Sequence, residues 1–403
     1  MVARRGAVHE IYIEHGRVKN FLVIDVFGFG VASCFIVAFF KVVSILKIIH
    51  VFSSLDFGGV ETHATKIAKC SDLKNEMTPV FCAISKGGHA EKKIMEYGCE
   101  VVVLSSSSKI PSLKAFFKLL HYFRQVKPCV VHAHGAEANF HGILAAFFAR
   151  VPVRIGEEIG IPDHSKLAKK IFKFIYSLST QVVAISDSVK AWLIDSGEVP
   201  KAKVTRIYNP VEVTHKENYI FFPKNKFRIA FVGRLEPVKN PLALISAVSL
   251  LRKNNIPIEL WMVGDGSLMQ DCLSLISDLE MGDAVFMHGY CDEPASLIVQ
   301  CDLYVQPSIT EGFGIALVEA MLCKVPVLAT SVGGAPEIIR HGENGWLADN
   351  TDGESLSLAI NDILNLTDDL RSFGERAYQS VCDRFKTENY INELLSLYEK
   401  IAK

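Results

Sequence analysis

From Lys47 onward, short runs of apolar and β-branched residues alternate with longer stretches whose apolar residues recur every three to four positions. The short runs are typical of buried strands, and the longer stretches of amphipathic helices. In the first half the predicted strands are Ile48–Phe52, Pro79–Ile84, Val101–Leu104, Val130–His132, Val153–Ile155 and Gln181–Ile185. In the second half they are Arg228–Val232, Glu259–Val263, Val285–His288, Leu303–Gln306 and Val327–Thr330. Strands that alternate with helices indicate parallel α/β architecture.

The chain of 403 residues is too long for one compact core and suggests about two domains. Residues 209–227 contain two prolines, mixed charge and no clear periodicity, which is typical of a linker. We therefore predict two doubly wound domains, 47–212 and 213–386, followed by a C-terminal helix at 387–403. Ligands of such sheets bind outside the carboxyl ends of the strands, so we expect the site in a cleft between the two domains.

The first 46 residues do not fit this pattern. Val26–Phe40 is a run of fifteen residues without a charge, whereas a membrane-spanning helix needs about 20 predominantly apolar residues. Three interpretations are open: a membrane anchor, a cleaved signal, or sequence upstream of the true start. A specific observation favours the third interpretation: Lys47–Val51 is already a credible first strand, so the fold needs nothing before it.

Charge and cysteine content exclude several classes of protein. Forty-three basic and forty-four acidic residues leave a net charge of −1, without the basic excess of a protein that binds long nucleic acids. The ten cysteines form no Cys-x-x-Cys pair, which suits reduced thiols in a cytosolic protein. Asp-x-Asp, a carboxylate pair that often holds a metal-bound diphosphate, does not occur, so a metal role is unsupported.

The strongest motif extends from Glu311 to Met321, after a predicted strand and a turn. Its glycines, Gly312 and Gly314, open a helix whose free backbone N–H groups an anion can approach closely. Glu311 lies before this helix and Glu319 about two turns along it. Two acids beside an anion site make sense if each accepts hydrogen bonds from hydroxyls, as on a sugar and a ribose. Taken alone, an acidic helix start with one surface glutamate explains the motif equally well.

A second motif, Gly233–Asn240, comes directly after the strand Ile229–Val232. Arg234 and Lys239 lie five positions apart at the carboxyl end of that strand and can hold a diphosphate from two directions. An isolated pair of this kind is usually a solvated basic turn. Its occurrence on the same sheet edge as the first motif favours the functional interpretation.

The first half offers weaker signals. Gly58-Gly59 follows the first strand and lets the backbone approach a ligand, although it is also a common strand-to-helix turn. His132 and His134 end another strand and point to the same side, so metal binding must be considered. No third ligand is evident nearby in the sequence. We favour His134 as a hydrogen-bonding residue of the cleft and His132 as its structural neighbour.

Two further glycine turns follow predicted strands of the second half and are expected at the same edge of its sheet. Gly333-Gly334 follows the strand Val327–Thr330 and is aimed at the cleft. Gly264-Asp265-Gly266 begins like a dinucleotide fingerprint, but Met269 stands where the third glycine is required. A dehydrogenase is therefore disfavoured.

Two basic amphipathic stretches, Leu113–Val126 and His164–Ser179, carry apolar residues at helical spacing with lysines on other faces. Most such helices belong to ordinary domains and have a solvated face. The alternative is contact with an anionic membrane surface.

Together, these motifs resemble the family 4 retaining glycosyltransferases of the GT-B fold, the glycogen-synthase-like group. The resemblance extends from about Ile48 to the carboxyl terminus, and its most specific element is the Glu-x7-Glu spacing of Glu311 and Glu319. It implies an α/β fold of two Rossmann-like domains facing across a cleft, with the acceptor bound by residues 47–212 and the nucleotide sugar by residues 213–386. It also implies that a last helix, Thr387–Ala402, crosses back to the first domain. The N-terminal extension is a departure from the family pattern.

The resemblance also implies roles for single residues. Residues matching Arg234 and Lys239 bind the donor diphosphate, the one matching Glu311 contacts the transferred sugar, and the one matching Glu319 binds the ribose. His134 is expected at the reaction centre of the first domain, and we count it with Glu311, Lys239 and Arg234 as catalytic. The other expected donor contacts are Gly58, Gly59, Gly233, Gly312, Phe313, Gly314 and Ile315. Family members typically work without a bound metal, so no metal or cofactor is expected.

The expected reaction moves a hexose or N-acetylhexosamine from a UDP- or GDP-sugar to a glycan or lipid-linked acceptor, in surface polysaccharide or lipopolysaccharide synthesis. The expected location is the cytoplasm, at the inner face of its membrane. A sugar-nucleotide 2-epimerase of the same fold and a nucleotide-sugar binding protein without catalysis remain alternatives. A phosphorylase would need a pyridoxal lysine, for which there is no motif.

Overall fold

The computed structural model describes residues 11–15, 18–23, 41–56, 59–70, 77–213, 226–366 and 370–402. Contacts divide this part of the chain into two compact units. The first unit includes the described residues up to Glu157, together with Phe174–Gln181 and the end of the chain from Leu397. The second includes Glu158–Lys173 and Val182–Ser396. The domain boundary near residue 213 stays a prediction, and residues 214–225 of the expected linker lie outside the described residues.

Among the described residues, the first sheet has seven parallel strands and two antiparallel ones. Its strands are β1 (Ile11–His15), β2 (Val18–Val23), β3 (Lys41–Phe52), β4 (Met77–Ala83), β5 (Glu100–Val103), β6 (Val130–His134), β7 (Val153–Glu158), β8 (Gln181–Ala184) and β9 (Val204–Arg206). The parallel strands run in the order β5-β4-β3-β6-β7-β8-β9. The strand order therefore reverses between β3 and β6, which makes this pair the topological switch point of the sheet.

The antiparallel strands occur in the segment that we expected to be dispensable for the fold. The first strand of the α/β domain begins at Lys41, earlier than the predicted Lys47, and pairs with β2, which in turn pairs with β1. A strand of twelve residues has room for an antiparallel neighbour along its first part and parallel neighbours along the rest. The apolar run Val26–Phe40, on which the anchor and signal interpretations rest, lies outside the described residues.

The second sheet has six parallel strands in the order β12-β11-β10-β13-β14-β15. They are β10 (Phe227–Val232), β11 (Ile258–Val263), β12 (Val285–Gly289), β13 (Leu303–Gln306), β14 (Val327–Thr330) and β15 (Trp346–Ala348). The switch point is here the pair β10 and β13, which are hydrogen-bonded to each other. Strands β13 and β14 are buried along their whole length, as the apolar runs predict for a sheet covered on both faces.

Helices connect the parallel strands of both sheets. The helices are α1 (Gly59–Lys69), α2 (His89–Glu96), α3 (Leu113–Val126), α4 (Ala136–Ala138), α5 (Leu144–Phe148), α6 (Lys166–Leu178), α7 (Asp187–Asp195), α8 (Pro241–Lys253), α9 (Met269–Asp278), α10 (Ala295–Ile298), α11 (Ile315–Leu322), α12 (Ala335–Ile338), α13 (Gly353–Leu364), α14 (Leu370–Val381) and α15 (Thr387–Ala402). The helical segment that follows β6 is interrupted, because Asn139–Ile143 form a π-helical turn between α4 and α5.

Local sequence explains where several helices begin and end. The Ser112 hydroxyl accepts a hydrogen bond from the Ala115 N–H at the start of α3, and Asp352 caps α13 in the same way through Ser355. The rigid φ angle of Pro241 suits the first position of α8. At the end of α3, Lys127 adopts the left-handed conformation that terminates many helices.

Candidate active site

The two motifs of the second half meet at the switch point of the second sheet. Lys239 ends a 3-10 turn that follows β10, and Glu311 lies in the loop that follows β13. Since β10 and β13 are neighbouring parallel strands, their carboxyl ends deliver both loops to one place. The Ile309 N–H donates to the Val238 carbonyl at 2.8 Å, and Lys239 Nζ lies 2.6 Å from Glu311 Oε2. The expected clustering of these two side chains is therefore present.

The carboxylate of Glu311 is held by more than this ion pair. Gln306 Nε2 donates to Glu311 Oε2 at 3.0 Å and the Ser308 hydroxyl does so at 3.2 Å, while Glu311 is only 8% exposed. Among the described residues, every hydrogen bond that this carboxylate accepts is on Oε2. A buried carboxylate with three donors on one oxygen is fixed in orientation, and Oε1 stays available for a hydroxyl.

Gln306 and Tyr304 extend this network into the sheet, and the sequence motifs did not reveal them. The Tyr304 hydroxyl lies 3.3 Å from Gln306 Oε1, which turns the Nε2 side of that amide toward Glu311. Burial, followed by the charges of Glu311 and Glu319, raises the pKa of Tyr304 well above its usual value. Tyr304 therefore keeps its proton, and the carboxylate of Glu319 lies close enough to influence it. Alternation along β13 places positions 304 and 306 on one side and could have indicated the pair.

Glycine 333 lets the next loop approach this site closely. Gly333 has a φ of +55°, and a Cβ there would lie 1.6 Å from the Glu311 carbonyl oxygen. The same carbonyl accepts a hydrogen bond from the Gly334 N–H at 3.2 Å. Any side chain at position 333 would push the backbone of Glu311 away, so the glycine pair after β14 is part of the support of the site.

The turn after β10 has its own internal support. Glu236 accepts hydrogen bonds from the Ser267 N–H at 3.1 Å and the Ser267 hydroxyl at 2.6 Å, and the hydroxyl contact lowers the pKa of Glu236. Gly233 donates from its N–H to the Val263 carbonyl at 3.0 Å, which ties the turn to β11. These contacts hold the backbone on both sides of Arg234, whose side chain is exposed.

Helix α11 begins at Ile315, directly after Gly314, which has a φ of +109° and no side-chain cap. The backbone N–H groups of its first turn have no partner within the helix, as at any helix start. Phe313 is buried with its ring 5.1 Å from that of Phe385, whereas Gly312 and Ile315 are half-buried. Phe313 can thus contact a donor only through its backbone.

In the first unit, β6 extends two residues beyond the predicted His132, so its last residue at the switch point is His134. His132 and His134 do point to the same side, with their rings stacked at 4.2 Å. His134 is only 2% exposed and is stacked on Phe52 at 4.4 Å. Its Nε2 lies 2.9 Å from His50 Nδ1, and its Nδ1 lies 3.3 Å from Glu157 Oε2. The structure thus places this histidine in a buried network, and its expected role at a reaction centre stays a prediction.

Glu157 is the centre of that network, which we name the histidine–glutamate cluster: His50, His63, His132, His134 and Glu157. His132 Nε2 lies 3.0 Å from Glu157 Oε2, and His63 Nδ1 lies 3.7 Å from Glu157 Oε1. The register of the sheet brings most of them together, since His50 pairs with His132 and His134 with Glu157. His132 Nδ1 also lies 2.7 Å from the Tyr398 hydroxyl of α15.

Burial determines the charge of this cluster. It lowers the pKa of His63 to about 3 and that of His132 to about 4, and it holds the pKa of His50 well below its usual value. Burial alone would raise the pKa of Glu157, but the facing imidazoles, His134 foremost, hold it well below its usual range. His50, His63 and His132 are therefore neutral at pH 7, around an ionised carboxylate.

The cluster also supplies the partners that were not evident beside His132 and His134 in the sequence. Two groups, His50 with His132 and His134, and His63 with His134 and Glu157, have possible metal-ligating atoms within 4.8 Å of one another. The stacked rings of His132 and His134, however, direct their nitrogens side by side toward one carboxylate oxygen. The contacts are electrostatic rather than hydrogen-bonded, because His132 Nε2, His134 Nδ1 and both carboxylate oxygens of Glu157 are buried without a hydrogen-bond partner of good geometry among the described residues.

Of the predicted glycine pair Gly58-Gly59, only the second residue lies among the described residues. Gly58 lies outside the described residues, and Gly59 is the first residue of α1, directly after the loop that follows β3. The helix start at the switch point of the first sheet is therefore where the sequence pattern placed it.

Two family models match this chain. A family model described as "Glycosyltransferase Family 4" matches residues 57–215, and one described as "Glycosyl transferases group 1" matches residues 214–380. The two matches meet at residues 214–215 and together cover residues 57–380. The chain belongs to the family 4 type of glycosyltransferases.

Two curated relatives are similar to this chain over most of its length. An Escherichia coli enzyme named UDP-Gal:alpha-D-GlcNAc-diphosphoundecaprenol alpha-1,3-galactosyltransferase is 25% identical over 313 residues, which are 72% of this chain and 80% of that protein. The Staphylococcus aureus capsular polysaccharide biosynthesis glycosyltransferase CapM is also 25% identical, over 312 residues that are 72% of this chain and 82% of CapM.

A solved structure confirms the predicted fold class. The Anabaena protein HepE, crystallised with UDP and glucose, has a TM-score of 0.76 to this glycosyltransferase at 22% identity, covering 88% of this chain and 100% of HepE. The two sheets of seven and six parallel strands are thus those of the GT-B fold. Among the described residues, no helix of this glycosyltransferase combines the length and apolar character needed to cross a membrane.

The histidine–glutamate cluster predicts a pH-dependent stability. Because burial lowers the pKa of His132 to about 4 from its ordinary 6.5, the unfolded chain binds more protons between these values. We expect the free energy of unfolding to fall as the pH drops from about 6.5 to about 4, by up to about 1.4 kcal/mol per pH unit for each such histidine. Urea unfolding from pH 4.5 to 7.5 measures this slope. His132→Asn should flatten it and the exposed His121→Asn should not, whereas parallel curves for all three proteins would contradict the assignment.

The close approach of Gly333 predicts a sensitive position. Gly333→Ala should lower the free energy of unfolding by about 1–3 kcal/mol from the backbone conformation alone, and should also displace Glu311. Gly282→Ala is the matched control, since a Cβ there meets nothing within 4 Å. Thermal unfolding and donor titration of both variants test this, and equal behaviour of the two would show that the loop tolerates a side chain.

Proposed function

We propose that this glycosyltransferase moves a hexose or N-acetylhexosamine from a nucleoside diphosphate sugar to a hydroxyl of a glycan or lipid-linked acceptor, with retention of anomeric configuration. The observation that carries the proposal is the contact of Lys239 Nζ with Glu311 Oε2, 2.6 Å apart at the switch point of the second sheet. A cation and a hydrogen-bond acceptor at one switch point match the two halves of such a donor, an anionic diphosphate and a sugar rich in hydroxyls.

Each group of the site has a place in this proposal. Lys239 and the exposed Arg234 neutralise the diphosphate, together with the free N–H groups at the start of α11. Glu311 Oε1 accepts a hydrogen bond from a hydroxyl of the sugar, while its Oε2 stays on Gln306 and Ser308. Glu319, one to two turns along α11, accepts the hydroxyls of the ribose.

The proposed chemistry needs no enzyme nucleophile. The bond from the anomeric carbon to the phosphate oxygen breaks while the acceptor oxygen bonds to the same face of that carbon. The proton of the acceptor hydroxyl passes to the departing phosphate oxygen. Lys239 and Arg234 stabilise the negative charge that grows on the diphosphate, which is the task that a bound metal has in other transferases.

Relatives guide the choice of donor and acceptor. HepE was crystallised with UDP, and the E. coli relative is named for a UDP-sugar donor and a diphosphoundecaprenol acceptor. We therefore place UDP before GDP as the donor base, and a lipid-linked saccharide of surface polysaccharide or lipopolysaccharide synthesis as the acceptor. Such an acceptor places the enzyme at the inner face of the cytoplasmic membrane. Base and sugar are the first points to test.

Donor binding should stabilise the full chain against heat. A ligand at a hundred times its dissociation constant adds about 2.7 kcal/mol, a shift of a few degrees for a protein of this size. We expect the shift with a UDP-sugar, a smaller one or none with GDP- and ADP-sugars, and its loss in Lys239→Ala. The control Lys253→Ala, an exposed lysine at the end of α8, should keep it. A shift that survives Lys239→Ala would place the diphosphate elsewhere.

Removal of either partner of the ion pair should abolish most turnover. Lys239→Ala and Glu311→Gln each remove a group that faces the developing charge or the sugar, and we expect a loss of about 10²–10³-fold in kcat with the fold intact. Glu319→Gln should mainly raise KM for the donor. Release of UDP with and without acceptor measures this, and NMR of the product gives the anomeric configuration. Inversion would contradict the retaining mechanism, and donor conversion without acceptor would favour a 2-epimerase.

A further inference from the structure

Several large apolar side chains are exposed together on the first unit. On α3, Leu113 is 73% exposed and Phe117 is 60% exposed, one helical turn apart. On α5, Phe147 is 43% and Phe148 52% exposed. Single exposed apolar residues are common, but a group of this size is the usual mark of an interaction surface.

These side chains form one surface because their rings are in contact. Phe116 meets Phe117 edge to face at 5.2 Å and Phe148 at 5.9 Å, and Phe147 meets Phe148 at 5.6 Å. We name this surface the α3–α5 patch: Leu113, Phe116, Phe117, Phe147 and Phe148. An open groove of about 410 Å³ runs along it, lined by Pro111, Ser112, Leu113, Phe116, Leu120, Phe140, Leu144 and Phe148.

The charge around the patch is one-sided. Residues 105–152 contain a single acidic residue, Glu137, and six basic ones: Lys109, Lys114, Lys118, Arg124, Lys127 and Arg150. Lys109, Lys114 and Arg150 are exposed. The whole chain has a net charge of −1, so this excess is local and coincides with the apolar surface.

We propose that the α3–α5 patch docks on the surface of an anionic lipid bilayer. Leucine and phenylalanine side chains enter the boundary between headgroups and acyl chains, while the surrounding lysines and Arg150 contact anionic headgroups. A second copy of the chain fits less well, because a symmetric contact would bring two cationic rims together. The docking rests on the proposed function only in that a lipid-linked acceptor lies in the same bilayer.

The position of the patch in the fold suits this role. Helix α3 begins directly after the loop that follows β5, and the Ser112 N–H donates to His141 Nε2 at 3.0 Å, in the helical segment that follows β6. Leu113 and Phe117 therefore lie beside the carboxyl edge of the first sheet, where ligands of open α/β sheets bind. A docked bilayer would be next to this edge of the first sheet, and the first domain is the one expected to hold the acceptor.

Depth-dependent fluorescence quenching tests the contact on the full chain. Phe117→Trp is mixed with vesicles of phosphatidylglycerol and phosphatidylcholine whose acyl chains carry bromine. We expect its added emission to be quenched and shifted to the blue, and to change far less with phosphatidylcholine alone. Leu358→Trp is the control, since Leu358 of α13 is 66% exposed but belongs to the second unit. An unquenched Phe117→Trp on vesicles that bind the chain would overturn the proposal, because another segment would then hold the lipid.

Vesicle cosedimentation with paired variants separates the apolar and the charged contributions. Leu113→Asp with Phe117→Asp, and Lys109→Glu with Lys114→Glu, should each raise the lipid concentration for half-binding at least tenfold. Leu358→Asp, and Lys92→Glu with Lys93→Glu on α2, should not. Unchanged binding of the patch variants, or a wild-type dimer that only they disrupt, would contradict bilayer docking.

Donor binding separates this proposal from the proposed function. The UDP-sugar thermal shift of the patch variants should equal that of the wild-type chain, because the donor site lies on the other sheet. Loss of vesicle binding with an intact shift is the expected result. Vesicle binding without any donor shift would support the docking surface while contradicting the proposed donor.

Discussion

The adjacency of β10 and β13 is the constraint on which the candidate active site depends. Two parallel strands that are hydrogen-bonded to each other end at the same edge, so the loops that follow them must share one space. Lys239 and Glu311, 72 positions apart, meet there at 2.6 Å. The flanking strands β11 and β14 add the loops that contain Gly264 and Gly333, and these glycines are needed because the neighbouring backbone lies where a side chain would begin.

The two units organise charge in different ways. In the second unit, the ion pair of Lys239 and Glu311 lies at the carboxyl edge of the sheet. Glu311 is 8% exposed and the Lys239 side chain 23% exposed, so a ligand can reach the pair and replace the contact between them. In the first unit one carboxylate, Glu157, is completely buried among imidazoles that burial keeps mostly neutral. The first arrangement suits binding and release. The second fixes the ends of β3, β6 and β7 against each other and, through Tyr398, against the last turns of α15.

Much of this could be predicted from the sequence, because the determining signals are local. Apolar runs bounded by turns gave β13 and β14 to the residue, and the order of motifs gave the fold and the residues of the ion pair. The strands β9 and β15 escaped prediction because three residues are too few to show a period. The early start of β3 escaped because its pairing partner, β2, lies in a segment that the α/β pattern does not require.

Local sequence patterns therefore establish the alternation of strands and helices, the glycine turns, and which charged residues follow which strand. Which side chains touch depends on how the strands pair and the helices pack. Strand register gathers His50, His132, His134 and Glu157 from three strands, and no local pattern announces a glutamate at the centre of four histidines. Likewise, helix periodicity marked Leu113–Val126 as amphipathic, but only the packing of α3 beside α5 leaves Leu113, Phe117 and Phe148 exposed together. Contacts between residues distant in the chain depend on pairing and packing, which a local pattern does not contain.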